Sequence, residues 1–175
     1  MEIDDAYLGG ERSGGRAGRG SENKVPFIAA VQTTNDGQPV LACFAQMPFT
    51  AEAMSDFAAK SLARPLTVVS DGLKCFLTMQ NAGVHERVVT GSGKASVKPP
   101  QFKAVNTVLS NLKTALGGTY HSFDFAKYGY RYLAEAQYRF NRRFDLGVIL
   151  VRLLRAAALT PPRPARLIRV AEICH

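Results

Sequence analysis

Residues 25–70 read VPFIAAVQTTNDGQPVLACFAQMPFTAEAMSDFAAKSLARPLTVVS, and this stretch decides the fold. VPFIAAVQT and PVLACFAQM are apolar runs rich in β-branched and aromatic residues. TNDGQ between them carries Asp36-Gly37, a pair suited to the positive φ angles of a tight hairpin. Thr50 can cap a helix over AEAMSDFAAKSLA, with Glu52 in its first turn, and Pro65 stops that helix because proline has no N–H to continue it. LTVVS then reads as a compact strand. A hairpin, a helix and a further strand describe a chain that leaves an antiparallel pair and crosses back to the same sheet.

Upstream, EIDDAYLGG reads as a first strand ended by glycines, and ERSGGRAGRGSENK reads as a flexible, basic loop. Downstream, DGLKCFLTMQNAG is a short helix after a turn and HERVVT a fifth strand. From Pro99-Pro100 onward the pattern is helical: QFKAVNTVLSNLKTALGG, SFDFAKYGYRYLAEAQYRFNRR and DLGVILVRLLRAAAL, the last with Asp145 as its N-cap. A meander of three strands, a crossover helix, a fourth strand, another helix and strand, and terminal helices is a ribonuclease-H-like layout. The expected fold class is therefore α/β, a mixed five-stranded sheet flanked by helices with additional C-terminal helices. One domain is expected over residues 1–159. TPPRPARLIRVAEICH, residues 160–175, is expected to be a proline- and arginine-rich tail, extended or loosely attached.

The chain has 175 residues, 46% of them hydrophobic and ten of them Phe, enough to bury a core and exclude wholesale disorder. It carries 22 basic and 14 acidic side chains, a net charge of +8. Acid and base balance over residues 1–100, so the whole excess lies in residues 101–175, which suits a polyanionic partner. Cys43, Cys75 and Cys174 lie far apart with no C-x-x-C pair, which argues against a zinc ribbon or a disulfide framework and for free thiols in the cytoplasm. Arg152 and Arg155 interrupt the most apolar late stretch, so no membrane span is expected. The opening residues are strand-like, so neither a signal peptide nor an upstream domain is expected.

The strand order points to one pair of acids. Asp4 falls within the first strand and Asp71 at the carboxyl end of the fourth, and a right-handed crossover places those strands side by side. Read alone, Asp71-Gly72 is also a plain turn. On the helix from Gln101, Val105, Val108, Leu109, Leu112 and Leu116 form an apolar stripe flanked by Asn106 and Lys113. Those two point within about 20° of each other, two turns apart, an arrangement shared by any solvated polar face. The next helix carries a basic stripe of Lys127, Arg131, Arg139, Arg142 and Arg143, which suits phosphate contacts. The loop residues Arg12, Arg16, Arg19 and Lys24 can add a second contact. His85 and His121 are read as structural or solvated, and Cys75 as a small core residue.

EIDDAYLGG, GRGSENKVPFIAAV, VVSDG, VNTVLSNLKTALGGTYH and RYLAEAQYRFNRR together resemble the ISXO-type bacterial insertion-sequence transposases of the DDE superfamily, over residues 2–155. The family signature of Asp, Asp, Asn and Lys falls on Asp4, Asp71, Asn106 and Lys113. The resemblance implies a catalytic domain that cuts DNA at transposon ends and joins the freed 3′ hydroxyl to target DNA. It further implies two Mg²⁺ ions, replaceable by Mn²⁺, held by Asp4, Asp71 and Asn106, with Lys113 on a DNA phosphate. Synapsis of two ends implies a dimer or higher oligomer. Related transposases carry an upstream zinc-ribbon or helical segment that recognises the ends, which is expected to be missing here. A DNA-binding remnant without a working site, or a ribonuclease-H-type nuclease on the same fold, are the alternatives.

Overall fold

The computed structural model describes residues 1–9, 24–64, 66–89, 100–120 and 124–170. Within them, β1 (Glu2–Leu8), β2 (Val25–Thr33), β3 (Pro39–Gln46), β4 (Leu66–Ser70) and β5 (Gly83–Arg87) form one sheet in the order β3-β2-β1-β4-β5. β1 pairs antiparallel with β2 and β2 with β3, whereas β1–β4 and β4–β5 are parallel. This mixed sheet with helices on both faces is the ribonuclease-H-like α/β fold that the element order implies. The hairpin turns at Gly37, whose φ of 81° is a conformation that side chains rarely adopt. Helix α1 (Ala51–Ser61) starts where the Thr50 hydroxyl accepts the Ala53 N–H at 3.2 Å. It ends at Leu62, and the expected stop, Pro65, lies outside the described residues. A 3₁₀ helix (Lys74–Asn81) leads into β5, which begins two residues before the expected HERVVT. Gly83 is strand rather than loop because a Cβ there would stand 2.2 Å from the Leu66 carbonyl oxygen, so its bare backbone lets β5 close on β4.

Both faces of the sheet are covered. Ala6, Leu8, Phe27, Ala29 and Val31 pack under α2 (Lys103–Thr119) and α3 (Phe125–Phe140), which contribute Val105, Val108, Leu112, Leu116 and Leu133. Ile3, Ile28, Ala30 and Val68 pack on the other side against Met54 and Phe57 of α1 and Phe76 and Met79 of the 3₁₀ helix. β2 is apolar on both sides because each side meets a helix layer. Each fully buried large side chain contributes about 1.5–3 kcal/mol to folding. Cys75 is buried here, as expected, and its thiol pKa is raised by burial and by the nearby Asp5, which disfavours a nucleophilic thiolate.

β3 is an outer strand, and side chains of α3 and its C-terminal turn cover its free edge. The Asn141 amide accepts the Ala42 N–H at 2.7 Å and donates to the Ala42 carbonyl at 2.9 Å. Gln137 accepts the Phe44 N–H at 2.9 Å, and Arg143 donates to the carbonyls of Pro39 and Val40. The polar groups a sixth strand would satisfy are thus met by a helix.

Helix α4 (Leu146–Leu159) follows, with Asp145 at its N-cap position but no hydrogen bond from the Asp145 side chain. Leu146, Leu150, Leu153 and Leu154 are all more than half exposed on it. The C-terminal segment departs from the expected extended tail, since Ala165–Val170 form a short helix, α5. Pro164 supplies the carbonyl that accepts from Leu167 and Ile168 at its start. Tyr128 and Arg131 of α3 donate to the carbonyls of Arg169 and Ile168, which holds the segment against the body. Among the described residues no helix is long and apolar enough to cross a membrane.

Candidate active site

The site forms where β4 stops and β1 continues. Their parallel pairing sets Glu2 opposite Val69 and Ile3 opposite Ser70, so Asp4 lies level with Asp71, the first residue beyond β4. Asp4 and Asp5 are neighbours in one strand, and such neighbours project to opposite faces. With β4 ended, both reach Asp71. One carboxylate oxygen from each of Asp4, Asp5 and Asp71 lies within 4.8 Å of the others. The carboxyl ends of parallel strands are where open α/β sheets leave a crevice for ligands.

The electrostatics follow from that crowding. Burial, followed by the charges of Asp5 and Asp71, pushes the Asp4 carboxyl up to about 7. The Asp5 N–H, 2.9 Å from Asp4 Oδ1, and the Lys113 ammonium act in the opposite direction without overcoming the burial. Asp71 is held by its own turn, because its Oδ1 accepts the Leu73 N–H at 3.0 Å.

Helix α2 is tied to the same strand. Phe102 at its N-cap provides no side-chain acceptor, and instead the buried Glu2 carboxylate of β1 accepts the Val105 N–H at 2.7 Å. An acid at a helix N-terminus satisfies a donor that has no partner within the helix and meets the positive end of its dipole. Glu2 thereby anchors the start of α2 to β1, two residues from Asp4. Asn106 is half-buried in the turn so anchored, and Lys113 is exposed two turns on, close enough for its charge to act on Asp4.

Asp4 and Asp71 are thus brought together as expected, with Lys113 acting on Asp4. Asp5 and Glu2 went unnoticed in the sequence, where the only signal was an EIDD cluster opening a strand. Residues 1–141 match the ISXO2-like transposase domain. The chain belongs to that family. No curated protein matches it. The matched span holds the whole sheet, α1 to α3 and all the acids of the site. The chain is accordingly a transposase domain of the DDE, insertion-sequence type, and the partner its family implies is DNA.

The basic residues of this transposase domain are distributed unevenly. Arg12, Arg16 and Arg19 lie outside the described residues, as do His121 and Cys174, and Lys24 immediately precedes β2. On α3, Lys127 is exposed, 5.2 Å from the Tyr128 ring centre. Arg131 donates to the Tyr130 hydroxyl and the Ile168 carbonyl, and Arg139 pairs with Glu135 at 3.1 Å. Arg142 stacks 3.9 Å from the Tyr138 ring centre and donates to the Tyr138 carbonyl. Arg143 has the most partners, lying 3.9 Å and 4.3 Å from the ring centres of Phe140 and Phe144 and bonded to three carbonyls, and burial lowers its pKa. Arginines that read as one phosphate-facing stripe therefore also have structural partners.

The acids suit a divalent metal. Three hard oxygen donors in a half-buried crevice are a ligand set for Mg²⁺ or Mn²⁺. The raised Asp4 pKa comes first from burial and then from the Asp5 and Asp71 charges, and a cation would offset the charge part of it.

Proposed function

We propose that this domain cuts DNA strands at insertion-sequence ends and joins the freed 3′ hydroxyl to target DNA by metal-assisted phosphoryl transfer. The observation that carries the reading is the meeting of Asp4, Asp5 and Asp71 at the end of β4 in a chain of the transposase family. When bound, a pair of Mg²⁺ ions would supply activation of the attacking water, for cutting, or 3′ hydroxyl, for joining, and stabilisation of the leaving oxygen in an in-line displacement. Asp4 and Asp71 would hold the metal through carboxylate oxygens, with Asp5 beside them, and Asn106 would offer a neutral carbonyl oxygen. Asn106 would add an oxygen donor without adding charge to the three carboxylates, and the DNA phosphate would help to complete the ligand set. A bound cation would favour the ionised Asp4 carboxylate against the burial and the neighbouring charges that raise its pKa. Lys113 steadies a DNA phosphate beside the cut bond. Bringing two ends together requires at least two copies of the chain.

A strand-transfer assay with matched insertion-sequence ends tests this. Joining is expected with Mg²⁺ or Mn²⁺, none with a chelator, and a loss of about 100-fold or more in Asp71→Asn. Metal-dependent joining that survives Asp71→Asn overturns the mechanism.

A further inference from the structure

β5 contributes no acid to the site, yet it grips the turn that carries Asp71. Three consecutive carbonyls there are held, two directly from β5 and the residue after it and one through a β4 hydroxyl that His85 of β5 meets. The Ser70 carbonyl accepts the Val88 N–H at 2.9 Å. The Asp71 carbonyl accepts the Ser70 hydroxyl at 3.2 Å, and that hydroxyl lies 2.7 Å from His85 Nε2. The Gly72 carbonyl accepts the Arg87 guanidinium at 2.8 Å. Parallel pairing sets His85 opposite Val68 and Arg87 opposite Ser70, so both side chains lie on the same face of β5 and reach forward to this turn.

The hydrogen bonds have a direction. His85 Nδ1 is buried without a hydrogen-bond partner among the described residues. Burial and the nearby Arg87 charge lower the His85 pKa, so the ring is neutral and carries one N–H. A buried N–H without an acceptor is rarer than an unpaired acceptor, which assigns the proton to Nε2. Nε2–H then donates to the fully buried Ser70 oxygen, and the Ser70 proton is directed to the Asp71 carbonyl.

We propose that His85 and Arg87 are positioning residues for Asp71, fixing the peptide planes on either side of it so that its carboxylate faces Asp4. The proposal rests on the reading of Asp71 as a metal ligand. Neither side chain touches the metal; both act through the backbone of the turn.

Mn²⁺ titration of the full chain, followed by the electron paramagnetic resonance signal of the free ion, tests this with metal-free melting temperatures beside it. Asp71→Asn is expected to weaken Mn²⁺ binding most. His85→Ala and Arg87→Ala are expected to weaken it by about tenfold, the scale on which groups that orient ligands act. His85→Gln, whose amide can replace the Nε2–H donor, is expected to stay within about twofold of the parent. Arg87 is exposed, so Arg87→Ala keeps the test open if His85→Ala melts early. Parent-like Mn²⁺ affinity in both alanine variants, with Asp71→Asn weakened, overturns the positioning role. So does a loss in His85→Gln equal to that in His85→Ala. Parent-like affinity in Asp71→Asn instead overturns the assignment of Asp71 as a ligand.

Discussion

Asp4 carries an energetic cost that the metal-free protein must bear. Its carboxyl titrates near 7 in the folded chain against an ordinary 3.8, so the folded state binds the proton more tightly than the unfolded one. That favours folding in full below about pH 4 and is lost as pH rises through 7, a change of up to about 4 kcal/mol. Melting of the metal-free protein and of Asp4→Asn across pH 4–8 checks this. The parent is expected to lose stability relative to the variant as pH rises, and Mg²⁺ to restore it at pH 8. A parent-to-variant difference that is flat with pH sinks the expectation. His85, whose pKa is lowered, has the opposite sign, losing its contribution as pH falls, but it is common to both proteins and cancels. Asp4 and Asp71 were legible in the sequence because strand order alone brings their positions together. Asp5 was not, since strict alternation sends it to the other face and only the early end of β4 lets it return. His85 looked solitary for a similar reason, because its partner Ser70 is fifteen residues away.

The strands and helices were readable from hairpin chemistry, caps and apolar stripes, whereas their polar joints were not. Gln137 and Asn141 drew no notice in the sequence, yet they replace a missing strand along β3. Nothing in local periodicity marks a side chain that bonds to backbone about a hundred residues away. The same blindness hid Glu2, which a strand reading treats as a solvated acid but which caps α2 from across the fold. Within the C-terminal segment only the helix Ala165–Val170 went unread, because prolines suggest extension, although Pro164 stands where that helix begins. The edge cover makes a specific prediction. Asn141→Leu removes both bonds to Ala42 and leaves its N–H and carbonyl unmatched in a half-buried place, which is expected to cost about 1–3 kcal/mol. Urea unfolding is the check, and faster amide exchange at Ala42 than in the parent is expected to accompany it. A variant as stable as the parent, with Ala42 still protected, shows that the edge needs no such cover.

Across the molecule, charge and structure divide the work among the cations. The excess of +8 lies entirely in residues 101–175, and DNA binding driven by it releases counterions from the phosphates. Cations bonded to backbone carbonyls and stacked on rings cannot follow a phosphate without giving those partners up, and Arg143 has the most of them. Lys113 and Lys127 are exposed and are free to swing towards a strand. In fluorescence anisotropy with duplex DNA at several salt concentrations, Lys113→Ala and Lys127→Ala are each expected to reduce the slope of log affinity against log salt by about one unit. Arg143→Ala is expected to leave that slope nearly unchanged while lowering the melting temperature, because its loss uncovers the Pro39 and Val40 carbonyls. Equal losses of slope in all three variants would mean that the carbonyl-bonded guanidinium reaches DNA as readily as the exposed amines. The division between structural and DNA-facing cations would then be wrong, and binding would have to include a rearrangement of the α3 terminus away from β3.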